Sequence, residues 1–428
     1  MSRKPVVLVL VMLLLCGHLL SGCSEEGRSS GETAGNIVVF KHGKIAGDPA
    51  LFKALLDRFE AAHPGVKVKD ETLPASTDEQ HQFYAINLEG RSSDFDVLSM
   101  DVIWVPEFAR AGWIKDLSDL VTQEERSNFF PGPIEAVTYD GRIFAVPWYI
   151  DAGVLYYRKD LLGKYGFAPP KTWEDLVRVA QHITSREKDL YGYIWQGKQY
   201  EGLVCNVLEF FWGNGGDVLR QGKPVIDSRE NNAAIAFMRD LISAFKVSPP
   251  LVTTTIEEGT RHIFGNGRAL FMRNWPYAWN LFNAENSPVR GKVGVAPLPA
   301  FPNHDSASTL GGWQLGVNSF SKRAEAAAKL VRFLTSPDAQ KTMALTIGYK
   351  PTRQSVYQDG ELRARQPFIA SLYDILMKAR PRPVSPYYMM MTQVMQPEFS
   401  AIISGIRTPG DGLRSAQRQI EHILEAGL

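Results

Sequence analysis

The sequence predicts an α/β fold of two lobes, each a sheet flanked by helices. Three observations carry this reading. Short apolar runs of strand length alternate with helical periodicity through the first hundred residues. That pattern stops at an aromatic, proline-containing stretch over residues 142–157, and a second series of strands and helices follows. The chain has 428 residues, 44% hydrophobic and 22% charged, enough for two or three domains of globular composition.

The elements follow in order. Residues 37–40 (Ile-Val-Val-Phe) form the first strand. Asp48 and Pro49 supply an N-cap and a first helical position, Leu51, Leu55 and Phe59 recur at helical spacing, and Pro64 with Gly65 ends that helix. Residues 66–69 alternate as a strand, and 95–100 form a further apolar strand that ends at Asp101. In such sheets ligands sit beyond the carboxyl ends of the strands, so Asp101 stands at a favoured place, with Trp104 just after it. Residues 142–146 read as a strand broken at Pro147, and 154–157 resume the pattern, which marks a crossing into the second lobe. Thr172 and Asp175 fit a helix start at Trp173, and 233–245 is an amphipathic helix. Residues 269–272 form a strand leading into an aromatic cluster, Trp275, Tyr277 and Trp279. The return crossing is expected at 293–297, followed by a strand at 313–317 and helices at 323–334 and from Ser336 onward.

The amino-terminus predicts export. Arg3 and Lys4 precede an apolar run at 6–15, too short for a membrane span, and Leu20, Ser21, Gly22 and Cys23 resemble a bacterial lipobox. Cleavage would leave a lipidated Cys23 and a Ser/Gly/Glu-rich tether to residue 35. Without the leader the chain holds 45 basic and 46 acidic residues, a balance that gives no footprint for nucleic acid. Cys205 is then the one cysteine left in the folded part, so no internal disulfide forms there; a buried thiol is expected. The eight histidines lack metal-ligand spacing, and no zinc helix, P-loop or nucleophile elbow occurs. No metal and no cofactor are expected. Asp101, Asp151 and Glu209 leave a glycosidase carboxylate pair as one alternative.

Six stretches converge: "DFDVLSMDVIWVPEFARAGWI", "VPWYIDAGVLYYRKDLL", "PKTWEDL", "MRNWPYAW", "GGWQLGVNSFSK" and "RPRPVSPYY". Together, and in this order, they resemble the sugar-binding lipoproteins of bacterial ABC importers, the family 1 extracellular solute-binding proteins, and in particular the trehalose/maltose-binding branch. The resemblance implies a class II periplasmic-binding-protein fold with a multi-strand hinge. It places lobe 1 at 36–146 and 298–350, and lobe 2 at 147–297 and 351–428. It implies a monomer that performs no chemistry, captures a di- or oligosaccharide and delivers it to the permease subunits, held to the membrane by its lipid anchor alone.

A sugar presents apolar C–H faces and a rim of hydroxyls, so its binder needs aromatic planes and rigid polar groups. By the same resemblance Asp101 and Asp151 accept from hydroxyls, Trp275 and Trp313 stack on the sugar, the Gly312 backbone approaches it, and Arg382 donates to it. Tyr149 and Tyr277 join the set on strand spacing, each with core packing as its alternative. Glu209 is either a ligand or a helix-surface acid, and Asp48 either a ligand of the first loop or a helix cap. Trp279, Trp113 and Trp173 are assigned to packing. Three other readings compete with carbohydrate import: a glycosidase, a sensor or adhesin, and a binder of another solute such as a glycerol-phosphate.

Overall fold

Local chemistry starts and stops the elements much as the spacing predicts. The computed structural model describes residues 36–45, 48–74 and 76–427; the leader at 1–22, Cys23 and the tether to residue 35 lie outside them. The Asp48 carboxylate caps helix Pro49–Ala62 by accepting from the Ala50 N–H at 2.9 Å, and Phe52, Leu55, Leu56 and Phe59 form its buried stripe. Thr172 caps helix Trp173–Thr184 through the Asp175 N–H, and Ser336 caps helix Pro337–Thr346 through Ala339.

The strands are β1 (Asn36–His42), β2 (Val66–Thr72), β3 (Val97–Asp101), a small ribbon of β4 (Thr138–Tyr139) and β5 (Arg142–Ile143), then β6 (Val146–Ala152), β7 (Val154–Arg158) and β8 (Tyr191–Ile194). A second ribbon, β9 (Leu219–Arg220) with β10 (Lys223–Pro224), precedes β11 (Ala269–Asn274), β12 (Val293–Ala296), β13 (Leu310–Val317) and β14 (Lys350–Pro351). They build two main sheets. The first has six strands in the order β14-β6-β13-β3-β1-β2, the second four in the order β12-β7-β11-β8. Helices cover both, so the chain has two α/β lobes. Trp148, fully buried against Phe40 and Phe52, anchors the first core; Trp173, stacked on Phe210 with centroids 4.0 Å apart, anchors the second. Among the described residues no helix is long and apolar enough to cross a membrane.

The crossings differ from the expected boundaries. Pro147 does not break a strand; it sits inside β6, opposite Gln314, beside the irregularity between Trp313 and Gln314. A proline is tolerated there because the ladder is already disturbed and its missing N–H is not needed. Its carbonyl accepts instead from the side chains of Gln340 and Thr352. The chain therefore leaves the first sheet at Gly153, between β6 and β7, and returns between β12 and β13. The tail is also divided differently. Residues 354–378 pack on β6, β14 and helix Pro337–Thr346, in the first lobe, whereas helices Tyr388–Ile403 and Pro409–Gly427 pack on the second. A third crossing joins them, tied to the second by Leu310 N–H donating to the Arg380 carbonyl and Arg380 N–H donating to Ser308.

Candidate functional site

Strand register gathers residues that are far apart in sequence. β13 lies between β6 and β3, and Trp313 pairs with Tyr149 on one side and Asp101 on the other. Directly paired residues share a face of a sheet. Tyr149, Trp313 and Asp101 thus form one row across three strands, and Asp151 with Gly311 forms the neighbouring position on that face. The row ends at the carboxyl end of β3, where the α/β rule places a ligand.

Aromatic faces are held from behind. The half-buried Trp313 ring meets the edge of fully buried Trp104, centroids 5.5 Å apart. Tyr149 stacks on Tyr349 at 4.0 Å and an interplanar angle of 19°. From the second sheet, Trp275 follows β11 directly. One face of its ring lies 3.9 Å from the Arg273 guanidinium carbon, and its indole N–H donates to Glu257 at 3.4 Å. Tyr277 donates to the adjacent Glu258 at 2.6 Å. Two glutamates at the start of helix Glu257–Gly265 therefore orient two rings of the aromatic cluster at 275–279.

Glycines let these parts meet. A side chain at Gly311 would place its first carbon 2.9 Å from the Trp275 ring, so that ring lies directly over the β13 backbone. Gly312 has φ +108° and faces the Tyr149 carbonyl, which would lie 2.3 Å from an added carbon. Both the backbone conformation and the space exclude other residues at 312.

The charged groups fall into three sets. Arg382, almost fully buried, donates to Asp101 at 2.7 Å and to Glu201 at 2.8 Å. Tyr388 and Thr392 also donate to Glu201. Arg273 forms a two-pronged pair with Glu209 at 2.9 and 2.5 Å, both side chains sealed from solvent, and also donates to Gln196. Asp151 is half-buried. Burial pushes its carboxyl up to about 7, against the opposing influence of Lys350 and Arg273. Lys350 is fully buried, which pulls its amine down to about 8, with Asp151 partly restoring it.

Seven of the expected site residues are thus linked in one region: Asp101, Tyr149, Asp151, Trp275, Gly312, Trp313 and Arg382. Three expectations are corrected. Tyr277 does not continue the strand spacing: it stands in a turn, φ −57° and ψ −32°, ahead of helix Ala278–Phe282, and its hydroxyl is held by Glu258. Asp48 is exposed and occupied as a helix cap. Glu209 is neither a surface acid nor an available ligand, because Arg273 and the Thr309 N–H saturate it inside the second lobe. Trp279 packs on Phe368 and Trp173 is core, as expected. Cys205 is a free, buried thiol. Sequence reasoning missed Glu201, Glu257, Arg273, Tyr349 and Lys350. Arg273 lies two residues from Trp275 at strand spacing, a signal that could have found it; Glu201 opens a helix whose every residue is buried and gives no pattern. Among the described residues, no group of three or more His, Cys, Asp or Glu is placed to hold a metal ion.

Known proteins resemble this chain over most of its length. The family model for bacterial extracellular solute-binding proteins matches residues 43–341. A "Probable ABC transporter-binding protein" of Deinococcus radiodurans is 39% identical over 377 residues, 86% of this chain and 89% of that protein. A "Maltotriose-binding protein" of Pyrococcus abyssi is 26% identical over 82% of this chain and 74% of its own. Among solved structures, maltose-bound MalE3 of T. maritima is 44% identical with a TM-score of 0.86, covering 90% of this chain and 99% of that one.

Proposed function

This chain belongs to the bacterial extracellular solute-binding protein family, and from that premise we propose that it captures a di- or oligosaccharide, maltose- or trehalose-like, for an ABC importer. The observation that carries this reading is the row Tyr149–Trp313–Asp101, capped from the other lobe by Trp275 over Gly311. Two half-buried indoles supply planes for the apolar faces of a sugar, and Asp101 and Asp151 supply acceptors for its hydroxyls. The maltose ligand of the 44% identical structure supports the same class.

The groups come from both lobes, so a ligand touching all of them favours the closed arrangement by its differential affinity, which is how a binding protein reports occupancy to its permease. The protein works as a monomer and catalyses nothing. Asp101 and Glu209 are each bound to an arginine, which leaves neither placed as the acid of a glycosidase pair. The protein is exported, and Cys23 carries the lipid anchor that leaves the folded part tethered to the outer face of the membrane.

Calorimetry of residues 36–428 against maltose, trehalose and longer glucosides tests the reading. A tight saturable ligand is expected in that panel; no heat with any carbohydrate would sink it.

A further inference from the structure

Arg382 rises from the third crossing and reaches both lobes: Asp101 ends β3 of the first sheet, and Glu201 opens helix Glu201–Trp212 of the second lobe. One guanidinium therefore lies between two carboxylates. A lone buried arginine is a strong receptor for phosphate or carboxylate, because its planar fork matches both. Here the two forward amines are already paired, each with an anion. The remaining nitrogen, Arg382 Nε, is buried and has no partner among the described residues.

The other cations nearby are occupied as well. Arg273 is paired with Glu209, and the Lys350 amine donates to the Gly348 carbonyl and to Gln366. Glu201 is not a loosely placed acid. One oxygen accepts from Arg382 and Tyr388, at 2.8 and 2.7 Å, and the other from Thr392. Burying this extra carboxylate is costly, and a packed apolar residue would serve stability as well. Its presence calls for a role in selectivity, where a repulsive element counts as much as an attractive one.

We infer that Glu201 is a specificity-determining positioning residue. By sharing Arg382 with Asp101, it fixes the guanidinium and cancels its attraction for anions. The cleft then admits neutral saccharides and rejects their phosphorylated counterparts. This rests on the carbohydrate reading above and assigns to Glu201 the exclusion of charged ligands at that same site.

The test is a ratio of affinities. Wild-type protein is titrated with maltose and maltose 6-phosphate, and with trehalose and trehalose 6-phosphate. The neutral sugar of the pair that binds is expected to be preferred by about 100-fold, since like-charge contact in a desolvated site is strongly unfavourable. Glu201→Gln is expected to reduce that ratio about tenfold or more, through tighter binding of the phosphate ester. Glu201→Asp, which keeps the charge, should retain the preference. A folded E201Q protein with an unchanged ratio overturns the inference, because a merely structural glutamate would weaken both ligands alike. If E201Q fails to fold by its melting curve, the wild-type ratio decides: a value near one overturns the inference, and about 100 supports it. Should neither neutral sugar bind while a phosphate ester does, both this inference and the carbohydrate reading fall; loss of the ratio alone overturns only the inference.

Discussion

Two buried arginines in this molecule are both ion-paired, yet they differ in what they join. Arg273 meets one carboxylate, Glu209, in a two-pronged pair inside a single lobe, with both side chains closed off from solvent. Arg382 meets two carboxylates, from different lobes, and its Nε has no partner among the described residues. The first pair is charge-matched and hydrogen-bonded throughout, so it serves as scaffold under Trp275. The second sets one guanidinium between two carboxyl groups and joins the two lobes. A buried ion pair is therefore no guide to function by itself; what it bridges and which of its atoms stay unsatisfied are more informative.

Breaking the scaffold pair should have the largest effect. Glu209→Ala leaves Arg273 charged and buried without its partner, and about 3–5 kcal/mol of unfolding free energy should be lost in a denaturant titration. A loss below about 1 kcal/mol would mean the pair is not sealed. Next is Trp275→Ala, which should weaken sugar binding by about 10- to 100-fold while costing less in stability than Glu209→Ala. Equal losses of affinity and stability would move that ring into the core.

Asp151 offers a pH test that neither arginine can. Its carboxyl is raised from 3.8 to about 7 in the folded protein. Below the unfolded value both states are protonated. Between about 4 and 7 the folded state holds the extra proton, so its contribution is lost as pH rises toward 7. Asp151→Asn should therefore stabilise the ligand-free protein at pH 8 by on the order of 2 kcal/mol, while weakening sugar binding. A melting temperature that does not respond to pH differently in the variant would refute this. The smallest effect is expected at Asp48→Ala, about 1 kcal/mol from a lost helix cap, with sugar affinity unchanged. A drop in affinity there would return Asp48 to the binding site.

Much of the fold was legible because its signals are local. Caps at Asp48, Thr172 and Ser336 and the apolar strand runs depend on neighbours in the chain. Pro147 misled because a proline inside a strand is permitted only by a ladder irregularity set by β13, more than 160 residues away. The aromatic and aspartate members of the candidate site were legible through motif resemblance together with strand ends. Glu209 and Glu201 were not, because both lie on helix Glu201–Trp212, buried on all sides. With no exposed face, periodicity cannot separate the acid that supports Arg273 from the acid that restrains Arg382.

The position of β13 bears on how the chain is made. It is flanked by β6 and β3, yet it lies at residues 310–317, some 160 to 210 residues after its neighbours. The first sheet therefore stays in two halves until that strand emerges, and the loops to be closed are long, which slows assembly. β13 is thus both the strand that completes the row Tyr149–Trp313–Asp101 and the one on which closure of the first sheet waits.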